Sequence, residues 1–263
     1  MNGSDMNTSS LADLTEVLLA AATKAGAGAA DAIAIDGNST SIEVRGGVLE
    51  QAERSEGVEI GLRVLVGAKQ ACVSASDARP ETIAELAERA VAMARLAPDD
   101  PSIGLAEPGQ LTDIRDAAGL DLNDPDPDPA PEHLETLARE TEAAALTVAG
   151  ISQVQAARSG FSRRRVHLAA SNGFSGGYAR SDHGLACVAI TGEGLGMERD
   201  YFGDSRLHRA DLMDAAEVGR IAAERTIERA GARKPPTGSY PVLYDERISS
   251  GLIGHLVAAI NGT

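Results

Sequence analysis

The clearest alternation of apolar and polar positions is at Val58, Ile60, Leu62, Val64 and Val66, with Glu59, Gly61 and Arg63 between them. A period of two over this length predicts a strand with one buried face and one partly wet face. Beyond the Gly67 turn, Ala71, Cys72 and Val73 predict a second strand. Upstream, Ile33 with Ile35 and Ile42 with Val44 predict two short strands, and Gly46-Gly47 makes a hairpin turn into Val48-Leu49. Strands joined by turns this short are antiparallel neighbours, because parallel ones need a long crossover.

Helical periodicity frames this first group. Leu11, Leu14, Leu18, Ala21, Ala22 and Ala25 share a face after Ser10, and Pro80 opens a second helix carrying Ile83, Leu86, Ala87, Ala90, Val91 and Ala94. A third helix starts at Pro131, with Leu134, Leu137, Ala138, Thr141, Ala144 and Ala145 inward and Glu132, Glu135, Glu140 and Glu142 on its wet side. Segments 151–159, 163–170, 177–190 and 196–202 then predict a meander of glycine-diluted strands linked by Ser-, Asn- and Gly-rich turns. A helix returns at 211–230, the stretch 240–245 predicts a short strand, and an apolar helix closes the chain. The five helices are expected over 11–24, 81–96, 132–147, 212–229 and 247–260, in an α+β fold of antiparallel sheets with packed helices.

Composition changes abruptly after Ala97. Between Pro98 and His133 ten acidic residues face one basic residue, and seven of the eleven prolines fall here. Like charges and prolines predict an exposed, loosely ordered connector with brief helical turns. The expected organisation is therefore a disordered lead at 1–9, a first α+β unit at 10–97 and the connector at 98–130. A second unit occupies 131–238, and the start of a further domain lies at 239–263.

Charge narrows the function. A formal net charge of −15 in 263 residues opposes direct nucleic-acid binding, which needs a basic surface. Arg163-Arg164-Arg165 is the one compact basic run and reads as a solvated strand or turn. Cys72 and Cys187 stand far apart in apolar surroundings and read as buried free thiols. With no run of 18 apolar residues and no leader pattern, the expectation is a soluble, cytoplasmic protein free of membrane contact. Five dispersed histidines form no local metal motif. Ser171-Asn172-Gly173 with Gly176-Gly177 reads as an anion nest or as two adjacent turns. Asn172, Tyr178, Arg180, Arg199, Asp200 and Tyr201 place polar groups among apolar strands, and are the candidates for a groove receiving extended chain.

Three ordered runs carry a resemblance: SNGFSGGY at 171–178, GLGMERDY at 194–201 and GARKPPTGSYPVLYD at 231–245. With AGA at 25–27, ADA at 30–32, VRGGVLE at 44–50 and GLRV at 61–64, the chain resembles the TldD/PmbA family on its PmbA (TldE) side. It is similar to the amino-terminal part of members that continue into a mostly β domain. The resemblance implies a cytoplasmic protease of two homologous subunits acting on unfolded peptides. Peptide maturation, antitoxin turnover and an older gyrase-modulator label accompany it. In the family, the TldD-like subunit carries His-Glu-x-x-x-His on the helix matching 252–259. Here Gly254 stands at the first ligand position, His255 at the general-base position and Ala259 at the second ligand position.

By that resemblance the chain holds no cofactor and has no catalytic or metal residue of its own, and zinc belongs to a TldD-like partner. Unfolded peptides are the other expected partner, with self-association when the chain is isolated. The alternatives are a regulatory module for a DNA-associated protein and a standalone metallopeptidase.

Overall fold

The computed structural model describes residues 8–261, and in it the body to Ala230 and the segment from Gly231 onward form two separate compact units. The body is α+β: α1 (Thr8–Ala25), β1 (Ala29–Arg45), β2 (Val48–Val66), β3 (Lys69–Ala75), α2 (Pro80–Leu96), α3 (Pro131–Leu146), β4 (Ile151–Ala170), β5 (Ser175–Thr191), β6 (Glu198–Arg206) and α4 (Ala215–Glu228). All six strands form one antiparallel sheet in the order β3-β2-β1-β4-β5-β6. The segments before and after the connector are thus joined edge to edge through β1 and β4, from Asp31↔Ala170 to Val44↔Ala157.

The four helices lie on one face of the sheet. Even-numbered residues of β1 and β2 (Ala30, Ala32, Ala34, Ile60, Leu62, Val64) pack against Leu11, Leu18 and Ala22 of α1 and Ile83, Leu86, Ala90 and Val91 of α2. At the other end Ala157, Leu185, Cys187 and Ala189 pack against Ala145 of α3 and Val218, Ala222 and Ala223 of α4. With aromatics scarce, both cores are built from aliphatic side chains that let helix and sheet approach closely. Register shifts at Glu43/Val44, Ile151/Gln153 and Val154/Ala156 mark bulges, which curl such a long sheet.

Several expectations are corrected. The segments read as separate short strands are continuous: β1 runs 17 residues through Asp36–Ser41, β2 runs 19 and β4 runs 20. α1 begins at Thr8, three residues before the expected start at Leu11, and the rest of the predicted lead lies outside the described residues. The stretch 240–245 is not a strand, since it pairs with no other segment among the described residues. Only Cys187 is a buried thiol, and burial pushes it up to about 12. Cys72 is exposed because it sits opposite Arg63, on the face of β3 away from the helices. Glu142 is only 3% exposed rather than wet: its carboxylate accepts the N–H groups of Gly46 (2.6 Å) and Gly47 (2.7 Å) at the hairpin turn.

The connector has brief 3-10 turns at Pro108–Gln110 and Ala118–Leu120, as expected, but it is tied to the sheet. β6 pairs with β5 only from His183 onward, and beyond that point the connector takes over the β5 edge. Gly177 N–H donates to the Arg115 carbonyl (2.9 Å) and Ser181 N–H to that of Leu122 (3.1 Å). Gly176 is needed there, since a Cβ would stand 2.6 Å from the Arg115 oxygen.

Candidate functional site

The alternation of β5 and β6 sorts the predicted groove residues. Tyr178, Arg180, Arg199 and Tyr201 project from the face without helices, whereas Asp200 projects from the helix-bearing face beside Ala189. Tyr178 lies opposite Val166 and Tyr201 opposite Val188, ten residues further along β5. At about 3.4 Å per residue, the two groups are roughly 34 Å apart. The six residues are therefore spread along β5 rather than gathered at one point.

At the near end, Asn172 is occupied by its own turn. Its Oδ1 accepts from Phe174 N–H (3.2 Å), its Nδ2 donates to the Ala106 carbonyl (2.9 Å), and Gly173 has φ 92°. Of the two readings of this run, anion nest or adjacent turns, the backbone shows one turn followed by the start of β5. Arg180 donates twice to Asp182 (2.9 and 3.0 Å), which holds that carboxyl below its usual range. Tyr178 remains 41% exposed.

At the far end Arg199, Asp200 and Tyr201 line a depression of about 370 Å³ with Gln155, Val188 and Arg229. Arg199 donates to Gln155 (3.1 Å), Arg229 reaches the Asp200 carboxylate (3.3 Å), and Tyr201 is 62% exposed. This end offers an aromatic ring and guanidinium groups for contact, with no carboxylate free to act as a base.

A cavity of about 570 Å³ lies elsewhere, on the helix-bearing face of the sheet. Asp36, 6% exposed, is clasped by two guanidinium nitrogens of Arg165. Asp128 of the connector accepts from Asn38 Nδ2 (2.8 Å) and pairs with Arg163 (3.1 Å). Arg163 and Arg165, read as solvated, thus turn inward to acids, and only Arg164 is exposed on the other face. The contacts of Asp128 tie the connector to the sheet. The signal in the sequence was the alternation Asp36-x-Asn38 against Arg163-x-Arg165, which means something only once the strand register is known.

Connector and sheet also meet at a buried pair. Asp124 is 4% exposed and His183 also 4%, with Nε2 and Oδ2 3.1 Å apart. Burial alone would raise the Asp124 carboxyl, but N–H donation from Arg209 (2.8 Å) and Asp126 (2.9 Å) holds it below its usual value. Burial lowers His183, with Asp124 opposing, and burial also lowers His167, which sits 2.9 Å from Thr15 Oγ1. The signs agree. A histidine lowered in the folded state binds its proton more readily when unfolded, so its contribution is complete above the unfolded value near 6.5 and is lost as pH falls. A lowered aspartate also loses its contribution on acidification. Thermal melts should therefore fall steadily below pH 6.5, by at most about 1.4 kcal/mol per pH unit for each histidine. A melting temperature that is flat from pH 7 to 5 would contradict this.

The second unit is described by its own helix, α5 (Glu246–Ile260), capped by Asp245 accepting Arg247 N–H (2.9 Å). It carries Gly254, His255 and Ala259, the three positions that the family resemblance sets against the zinc motif. Glycine and alanine have no side-chain lone pairs, so these positions do not fit a zinc ion. No three His, Cys, Asp or Glu side chains converge as a metal site among the described residues. No described helix is long and apolar enough to cross a membrane.

Comparison with known proteins gives a consistent picture. Residues 30–94 match the family profile of the PmbA/TldA metallopeptidase domain 1, and 122–230 that of the PmbA/TldA metallopeptidase central domain. The metalloprotease PmbA of Escherichia coli O157:H7 is 31% identical over 222 residues, covering 84% of this chain and 49% of that protein. A candidate modulator of DNA gyrase from Bacteroides thetaiotaomicron has a similar fold, with a TM-score of 0.84 at 22% identity over 95% of this chain and 57% of its own. TldE from Thermococcus kodakarensis is similar at a TM-score of 0.66 and 16% identity, over 81% and 47%. The chain spans about half the length of the curated relatives it matches.

Proposed function

This chain belongs to the TldD/PmbA metallopeptidase family, and from that premise we propose that it is the non-catalytic, TldE-like member of a two-subunit zinc protease of the cytoplasm. The observation carrying this reading is the identity of the α5 residues: the side chains of Gly254 and Ala259 cannot ligate a metal, and the position of the carboxylate base holds His255 instead. The metal and base then come from a homologous TldD-like subunit, where zinc activates water for peptide hydrolysis. This chain contributes surface. Exposed Tyr178 at one end of β5 and Tyr201 at the other, with Arg199 beside it, offer stacking and guanidinium contacts to an unfolded peptide substrate.

The test is metal content and peptidase activity, first of the purified chain and then of the chain mixed with a TldD-like protein. The expected result is no stoichiometric zinc and no cleavage alone, with cleavage appearing on mixing. One zinc per chain, lost together with a peptidase activity in His255→Ala, would overturn the reading. A regulator of a DNA-associated protein is the second reading, favoured by the name of the Bacteroides relative. The net charge of −15 makes a protein, not DNA, its point of contact.

A further inference from the structure

The β1–β2 hairpin leaves one edge open. β1 is paired on both sides, to β2 and to β4, but β3 pairs with β2 only over Ile60–Val66. From 48 to 59 β2 has no third strand beside it among the described residues, and 48–57 is exposed on both faces.

The direction of its peptide groups is fixed by the register. Ser171 N–H donates to the Ala30 carbonyl (2.8 Å), so even-numbered residues of β1 face β4 and odd-numbered ones face β2. Odd residues of β1 pair with odd residues of β2, from Asp31↔Arg63 to Glu43↔Gln51. The N–H and C=O groups of Ala52, Arg54, Glu56 and Val58 therefore point outward, a row about 20 Å long at 3.4 Å per residue. The same stretch carries four glutamates (Glu50, Glu53, Glu56, Glu59) against one arginine, Arg54. Glu50 pairs with Arg45 (3.2 Å) and Glu56 with Arg54 (3.5 Å) at the exposed surface, and the stretch stays net negative; such charge keeps identical copies apart and favours an occupant of the other sign.

We propose that this edge is a docking strand, to which an extended Lys/Arg-rich polypeptide segment adds as a further strand. Main-chain hydrogen bonds to 52–58 would hold the segment and the glutamates would select it. The proposal requires neither zinc nor a second subunit, so it stands or falls separately from the protease reading.

An alternating Lys-Thr peptide is the probe and its Glu-Thr counterpart the control. The Lys-Thr peptide should bind at least about tenfold more tightly. On binding, amide exchange should slow at Ala52, Arg54, Glu56 and Val58, and stay unchanged at Glu53, Ser55 and Gly57, whose N–H groups already face β1. Ala52→Pro removes an outward donor without touching the β1 ladder, and should weaken binding by about tenfold. Glu53→Lys with Glu56→Lys should transfer the preference to the Glu-Thr peptide, which keeps the test decisive if the proline variant does not fold. Binding without the alternating protection would mean charge attraction alone and would overturn the proposal. So would the same protection arising without peptide in a concentration-dependent dimer, which would assign the edge to a second copy.

Discussion

Gly219→Ala is expected to destabilise the protein, against what helix propensity alone predicts. Gly219 lies within α4, where alanine should be worth about 1 kcal/mol more than glycine. Here, however, α3 crosses so closely that a Cβ would stand 2.1 Å from the Thr141 carbonyl oxygen and 3.1 Å from Ala145 N. The obstructing atoms are backbone, so no rotamer change relieves the contact and the helices must separate. Ala145, Val218, Ala222 and Ala223 are all buried around the crossing, and separating them opens their packing. Overpacking of this kind costs about 3 kcal/mol, which for a body of this size lowers the melting temperature by roughly 6–12 °C. A melting temperature at or above that of the unsubstituted chain would show that the helices are not held this close.

The same crossing marks the limit of what the sequence discloses. The α4 pattern shows which side is apolar, but the reason for a glycine on that side lies in α3, some 75 positions earlier. The helices and the hairpin at Gly46-Gly47 were legible because their signals are local: period 3.6, Pro at a helix start, two adjacent turn glycines. Both glycines have positive φ, 61° and 72°, as the tight turn requires. Strand lengths were not legible. Asp36–Ser41 reads as a polar break, yet it lies in the middle of β1 because Asp36 faces Arg165 and Asn38 faces Arg163 across the sheet. A polar run inside a strand is stable when the neighbouring strand supplies the counter-charge, and no single segment reveals that. The spread of the candidate groove residues was hidden for a related reason. Tyr178 and Tyr201 were joined by resemblance of context, while β5 is long enough to hold them far apart.

Glu142→Ala should produce the second large effect, and its site of action is the hairpin tip rather than α3. Helix α3 places the Glu142 carboxylate against the turn, where it accepts two backbone N–H groups, and Arg139 one turn earlier donates to the Gly47 carbonyl. Hydrogen bonds to a charged acceptor contribute about 1.5–3 kcal/mol each, but the turn itself is exposed and water can replace part of what is lost. A net cost of about 2–3 kcal/mol is therefore expected for alanine. Glutamine fills the same space but presents one acceptor and an amide that cannot accept, so it should recover only about half of that. Exchange of the Gly46 and Gly47 amides should accelerate in both variants, while the outward amides of 52–58, which Glu142 does not touch, keep their rates. If glutamine restored full stability, the clamp would be a matter of shape and the carboxylate would have no special part in it. If both variants melted like the parent, the tip would be held by the Gly46-Gly47 turn alone.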